Sequence, residues 1–165
     1  MECYELVEFL NKFGRDRRYE DLIIALGNIF PRTCPVFIKV KVCIVGENMV
    51  EIEVYIDQEE FEKAHRESCR QICKPVHCYR ECRRTEEGKR KCRRICVKRS
   101  EAMCYLRCMK EEFENAVWWF RTTAEDIETT LFAHGLIYEA SYDRREKRIK
   151  FRVFTKKVPD RWMLH

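Results

Sequence analysis

Between Cys69 and Cys108 the chain sets eight of its eleven cysteines as four C-x-x-x-C pairs: Cys69/Cys73, Cys78/Cys82, Cys92/Cys96 and Cys104/Cys108. A four-residue step keeps both members of a pair on one face of a helix. The pairs nest about a single turn, Thr85-Glu86-Glu87-Gly88-Lys89. Folding the segment there as two antiparallel helices brings Cys82 to Cys92 and Cys78 to Cys96, both with an index sum of 174. Cys73 then meets Cys104 and Cys69 meets Cys108, both with a sum of 177. The offset between the two sets needs a local break, which Pro75 can supply. The expectation is a helical hairpin over about residues 65–110, clamped by Cys69–Cys108, Cys73–Cys104, Cys78–Cys96 and Cys82–Cys92. The rival arrangements are two zinc sites of four thiolates each, an iron–sulfur cluster, or reduced thiols. Structural zinc sites favour C-x-x-C knuckles, and the stretch contains none, so disulfides without a cofactor are the preferred reading and zinc the alternative.

The inner half, C-x3-C-x9-C-x3-C, resembles in construction the twin C-x3-C hairpins of small mitochondrial chaperones. At 165 residues the chain is expected to be one α+β domain, 1–165, with the cysteine-rich hairpin inserted in it. It is 37% charged, with two glutamines and four asparagines. High Glu, Lys and Arg with few amides is the hyperthermophile pattern, and hyperthermophile archaea keep disulfides inside the cell. The start, Met1-Glu2-Cys3-Tyr4-Glu5, is acidic rather than apolar. No apolar run is long enough to cross a membrane. A cytoplasmic protein without membrane partners is expected.

In chain order the periodicity predicts a helix over Cys3–Phe13, ended by Gly14, and a second over Arg17–Phe30 behind an Asp16 cap. Strands follow at Val36–Val45 and Met49–Asp57, each alternating an apolar with a mixed face. Asp57 caps a helix that runs into the cysteine stretch. Beyond Cys108 a helix continues to Phe120, and Thr122-Thr123-Ala124-Glu125 reads as a capping box for a further short helix ended by Gly135. Two last strands, Leu136–Tyr142 and Arg148–Thr155, complete a four-stranded, mostly antiparallel sheet covered by helices on one face. The register of the third strand stays open: Tyr138, Ala140 and Tyr142 face either the core or the outer surface.

Two basic clusters suggest a polyanionic partner. One comprises Arg80, Arg83, Arg84, Lys89, Arg90, Lys91, Arg93, Arg94, Lys98 and Arg99 at the hairpin tip. The other runs from Arg144 to Lys157. The outer sheet face is expected to interleave cations with rings: Phe37, Lys39, Lys41, Tyr55, Arg148, Lys150, Arg152 and Phe154. Cations neutralise phosphates and rings stack unpaired bases, so single-stranded nucleic acid fits that face. Trp119, within Trp118-Trp119-Phe120, is a further candidate for stacking. The bland alternative is a solvated or subunit-covered face.

The element order, size and basic, hyperthermophile-like composition resemble the ThermoDBP-related single-stranded DNA-binding proteins of archaea, over most of the chain outside about residues 65–110. That resemblance implies a non-catalytic DNA-binding domain and a homo-dimer or homo-tetramer whose subunits together enclose the strand. Nothing in the chain points to catalysis. His65, His77, His134 and His165 lack metal-ligand spacing, and no phosphate loop or nucleophile elbow is present. Cys3, Cys34 and Cys43 lie outside the hairpin with no activating surroundings. The alternative function is an assembly module whose cysteine-rich hairpin grips an acidic protein partner, and a third is a zinc-dependent nucleic-acid adaptor.

Overall fold

The computed structural model describes residues 1–29, 35–73, 76–98 and 100–156. Pro75, Cys34 and Phe30 lie outside these. The chain divides into two compact units, Met1–Phe61 with Asn115–His165, and Glu62–Glu114.

The first unit is an α+β structure on a fully antiparallel sheet of five strands: β1 (Glu2–Glu5), β2 (Ile38–Gly46), β3 (Met49–Ile56), β6 (Tyr138–Asp143) and β7 (Arg148–Phe154), in the order β1-β2-β3-β7-β6. The expected four strands become five because Glu2–Glu5 is not helical. It pairs with Lys41–Ile44, and the disulfide Cys3–Cys43 joins the two strands. Helix α1 therefore starts only at Leu6 and ends at Phe13. Asp16 does cap, accepting from the Arg18 amide at 3.0 Å, but the element it starts is a 3-10 turn, Arg17–Tyr19, before α2 (Glu20–Gly27).

Strict alternation in β3 buries Val50, Ile52, Val54 and Ile56 and leaves Met49, Glu51, Glu53 and Tyr55 outward. Phe151 and Val153 of β7 continue the buried row across the sheet. The open register of β6 resolves inward: Tyr138 pairs with Val153, Ala140 with Phe151 and Tyr142 with Ile149, all on the core side. Phe9, Leu22 and Leu26 of α1 and α2 are fully buried beside this core.

Helix α3 (Gln58–Ile72) starts where expected, with Asp57 accepting from the Glu60 amide at 3.2 Å. Helix α4 is a single element, Glu101–Ala133. The supposed capping box at Thr122–Glu125 lies inside it, and Thr123 is buried rather than exposed at a helix start. A buried hydroxyl at helical spacing with Phe120 and Ile127 belongs to the core stripe; capping needs a chain break that α4 does not have. The true end is at Gly135, φ +70°, where the Gly135 amide bonds the Phe132 carbonyl and the Leu136 amide bonds that of Leu131. This paired closure requires a left-handed residue. Gly135→Ala is expected to lower unfolding free energy by about 1–2 kcal/mol, measured by denaturant titration.

The second unit holds the largest departure from expectation. Its outer part is helical, with Cys69–Cys108 and Cys73–Cys104 joining α3 to α4 at Cα separations of 5.7 and 5.5 Å. Its inner part is no helical hairpin. Val76–Arg84 (β4) and Arg90–Lys98 (β5) form a two-stranded antiparallel ribbon. Cys78–Cys96 and Cys82–Cys92 bridge directly opposed residues, with Cα atoms 4.0 Å apart. As helices, this segment would have stacked Arg80 on Arg83 and Arg84, and Arg90 on Arg93 and Arg94, all repulsive at helical spacing. Tyr79 and Ile95 suit a strand instead. The loop Glu86-Glu87-Gly88 closes the ribbon through Gly88 at φ +77°, with the Thr85 amide bonding the Lys89 carbonyl at 2.8 Å. Three-residue hairpin loops place a left-handed glycine at this position.

Candidate nucleic-acid interface

The outer sheet face sets cations and carboxylates side by side in register and is not a basic platform. By register, Glu5, Lys41, Glu53, Lys150 and Ser141 form one row across the strands, and Glu51, Arg152 and Glu139 form part of the next. Lys39, Tyr55, Arg148 and Asp143 form a third. Five cations thus face five carboxylates. Arg148 is ion-paired to Glu53 and to Glu146, and Arg152 and Lys150 meet Glu51 at 3.1 and 3.8 Å. Glu51 and Glu53 are only 13% exposed, lying beneath the cations. The hydrogen bond to Glu53 holds the Arg148 guanidinium more firmly protonated.

The rings expected to stack bases are largely engaged elsewhere. Phe37 is a core residue, 7% exposed and edge-on to Phe61 at 5.6 Å. It precedes the strand, which begins at Ile38, so the alternation does not extend to it. Tyr55 is capped by the Arg148 guanidinium at 4.6 Å, and burial raises its phenol above the ordinary value. Phe154, 43% exposed, sits opposite Met49 at the end of the sheet. Trp119 lies on α4, edge-on to Trp118 at 5.0 Å. That helix packs on the core side, where Phe120 is 6.5 Å from Tyr142, so Trp119 cannot join the outer face. Phe37→Leu is expected to lose the edge-on pair, about 0.5–1.5 kcal/mol of stability by thermal melting, with oligonucleotide affinity unchanged.

The ribbon collects what the sheet does not. From Val76 to Lys98 it carries nine Lys and Arg against three Glu, an excess larger than the whole chain's net +5. Its two faces differ. On one, Tyr79 is opposite Ile95 and Glu81 is opposite Arg93, and Glu81 pairs with both Arg83 and Arg93 at 3.1 and 3.5 Å. On the other, cysteines alternate with arginines: the Cys78–Cys96 bridge, Arg80 opposite Arg94, the Cys82–Cys92 bridge, then Arg84 opposite Arg90. All four arginines are exposed, and among the described residues none has a carboxylate at ion-pair distance. Like charges directly opposed destabilise a strand pair, and an isolated two-stranded ribbon is marginal at best. The two cross-strand bridges hold together a surface that would otherwise repel itself apart.

The pairing of these eight cysteines coincides with that read from the index sums. The Cys3–Cys43 bridge was not foreseen. Its signal is the outward position of Cys43 on a strand beside an N-terminal segment short enough to be an edge strand. The zinc alternative requires the eight sulfurs as thiolates, whereas here they are joined in disulfides. Among the described residues no three His, Cys, Asp or Glu side chains gather as a metal-ligand set, and no helix is long and apolar enough to cross a membrane. No protein-family model, no curated protein and no solved structure matches this chain.

Proposed function

We propose that this chain is a non-catalytic nucleic-acid-binding protein whose contact surface is the ribbon β4–β5 rather than the sheet. The observation that supports this most is the pair of opposed arginine rungs, Arg80/Arg94 and Arg84/Arg90, on a face without carboxylates and braced by two disulfides. Such a face costs stability, and neutralising phosphates is what would offset it. Within the second basic run, Arg144 to Lys157, the strand cations Arg148, Lys150 and Arg152 are already matched by Glu51 and Glu53. An oxidising compartment or a hyperthermophile cytoplasm would preserve five disulfides, and the Glu/Lys/Arg-rich, amide-poor composition favours the second.

The test is anisotropy of labelled oligonucleotides titrated with the oxidised protein from low to moderate salt. Four phosphate contacts predict a log–log slope of about −3.6 on duplex and about −2.8 on single strands. Absence of binding at low salt would withdraw the proposal. The ribbon would then fit the competing reading, an assembly module that grips an acidic protein surface.

A further inference from the structure

We infer that the ribbon's partner is duplex DNA, entered through its major groove, rather than single-stranded nucleic acid. This rests on the reading of the ribbon as a nucleic-acid surface and departs from the single-strand preference that the sequence suggests. Single-strand binders combine cations with rings on which successive bases stack. The arginine face has no ring: its described positions are Cys78, Arg80, Cys82, Arg84, Arg90, Cys92, Arg94 and Cys96. Tyr79, 46% exposed, belongs to the opposite face beside Ile95. On the ring-bearing sheet face Arg148, Lys150 and Arg152 are ion-paired and Phe37 is buried.

Shape points the same way. The strands of a ribbon lie about 4.8 Å apart, and with side chains the whole is roughly 10 Å across. The major groove of B-DNA is about 12 Å wide and admits a two-stranded ribbon. Arg80 and Arg84 are four residues apart on one strand, so the two arginine rungs follow one another at about 13 Å along the ribbon. Duplex DNA offers a phosphate charge every ~1.7 Å of axis, twice the density of either strand alone. A-form RNA closes this route, because its major groove is too deep and narrow for side chains to read. The predicted order is therefore DNA duplex above both single strand and RNA duplex.

The experiment compares the oxidised protein's affinity for four labelled probes of about 20 nucleotides at one salt concentration. They are a single DNA strand, its DNA duplex, the RNA duplex of the same sequence, and the DNA duplex with bulky C5-substituted pyrimidines filling the major groove. The unmodified DNA duplex should bind about tenfold or more tightly than each of the other three. Equal or tighter binding of the single strand, equal binding of the RNA duplex, or indifference to the groove-filling groups would each overturn the groove inference and leave nucleic-acid binding standing. Absence of binding to all four would overturn the nucleic-acid reading itself.

Discussion

Replacing Arg80, Arg84, Arg90 and Arg94 together with glutamine should flatten the salt dependence of DNA binding by roughly 3 to 4 units of log–log slope. Between 50 and 200 mM salt the parent should therefore lose on the order of 100-fold more affinity than this variant. The physical reason is that these four guanidiniums have no carboxylate within ion-pair distance among the described residues, so each can release a phosphate counterion on binding. A control is the variant Lys39→Gln, Lys41→Gln, Lys150→Gln and Arg152→Gln. Lys150 and Arg152 are already paired with Glu51, and Lys41 stands between Glu5 and Glu53 in the register. Its slope should stay within about one unit of the parent's. Unfolding cannot be the cause of the first loss, because removing two like-charge rungs should stabilise the ribbon by about 0.2–1 kcal/mol each. A melting temperature that holds or rises while affinity collapses is the expected pair of results. An unchanged slope in the ribbon variant, with a flattened one in the sheet variant, would return the site to the sheet.

Reduction of the disulfides should melt the second unit and leave the first folded. Among the described residues of Glu62–Glu114 only Cys69 and Cys73 are buried, so that unit has no apolar core to fall back on. Its four bridges close segments of 39, 31, 18 and 10 residues. Taken singly, chain-entropy arguments give each roughly 3–4 kcal/mol, and less when nested, since an inner loop is already shortened by the outer one. The first unit instead buries Phe9, Leu22, Val50, Ile52, Val54, Ile127 and Phe151 at once. Hydrogen exchange on the reduced protein should show full exchange across β4 and β5 with protection retained in β3 and β7. DNA affinity should fall with the ribbon. Protection retained across β4 and β5 after complete reduction would mean that backbone pairing, not the bridges, holds the arginine face.

Much of the disulfide framework was legible because antiparallel pairing conserves an index sum whether the paired elements are helices or strands. The same generality hid the ribbon. Four residues make about one helical turn, yet four is also an even number, which keeps Cys78 and Cys82 on one face of a strand. The change of sum from 177 to 174 marks where the helix pair gives way to the strand pair. The clue that separates the alternatives was electrostatic: Arg80, Arg83 and Arg84 crowd one another on a helix and spread to both faces of a strand. On the sheet, Val50, Ile52, Val54 and Ile56 announced β3 by strict alternation, but the same rule carried one residue past the start of β2 and put Phe37 on the wrong face. The neutrality of the outer face was hidden for a different reason. It depends on Glu139 and Asp143 arriving opposite Arg152 and Arg148, and alternation alone could not choose the register of β6. Glu2–Glu5 was masked as a strand by its helical neighbour, since four residues are too few to show a period.

The most direct test of the ribbon as the binding surface is amide chemical-shift mapping of the oxidised, isotope-labelled protein with a DNA duplex added. Shifts concentrated in Tyr79–Arg84 and Arg90–Ile95, with β2, β3 and β7 unmoved, are the predicted result. Shifts concentrated at Lys39–Lys41 and Arg148–Arg152, with β4 and β5 silent, would contradict it.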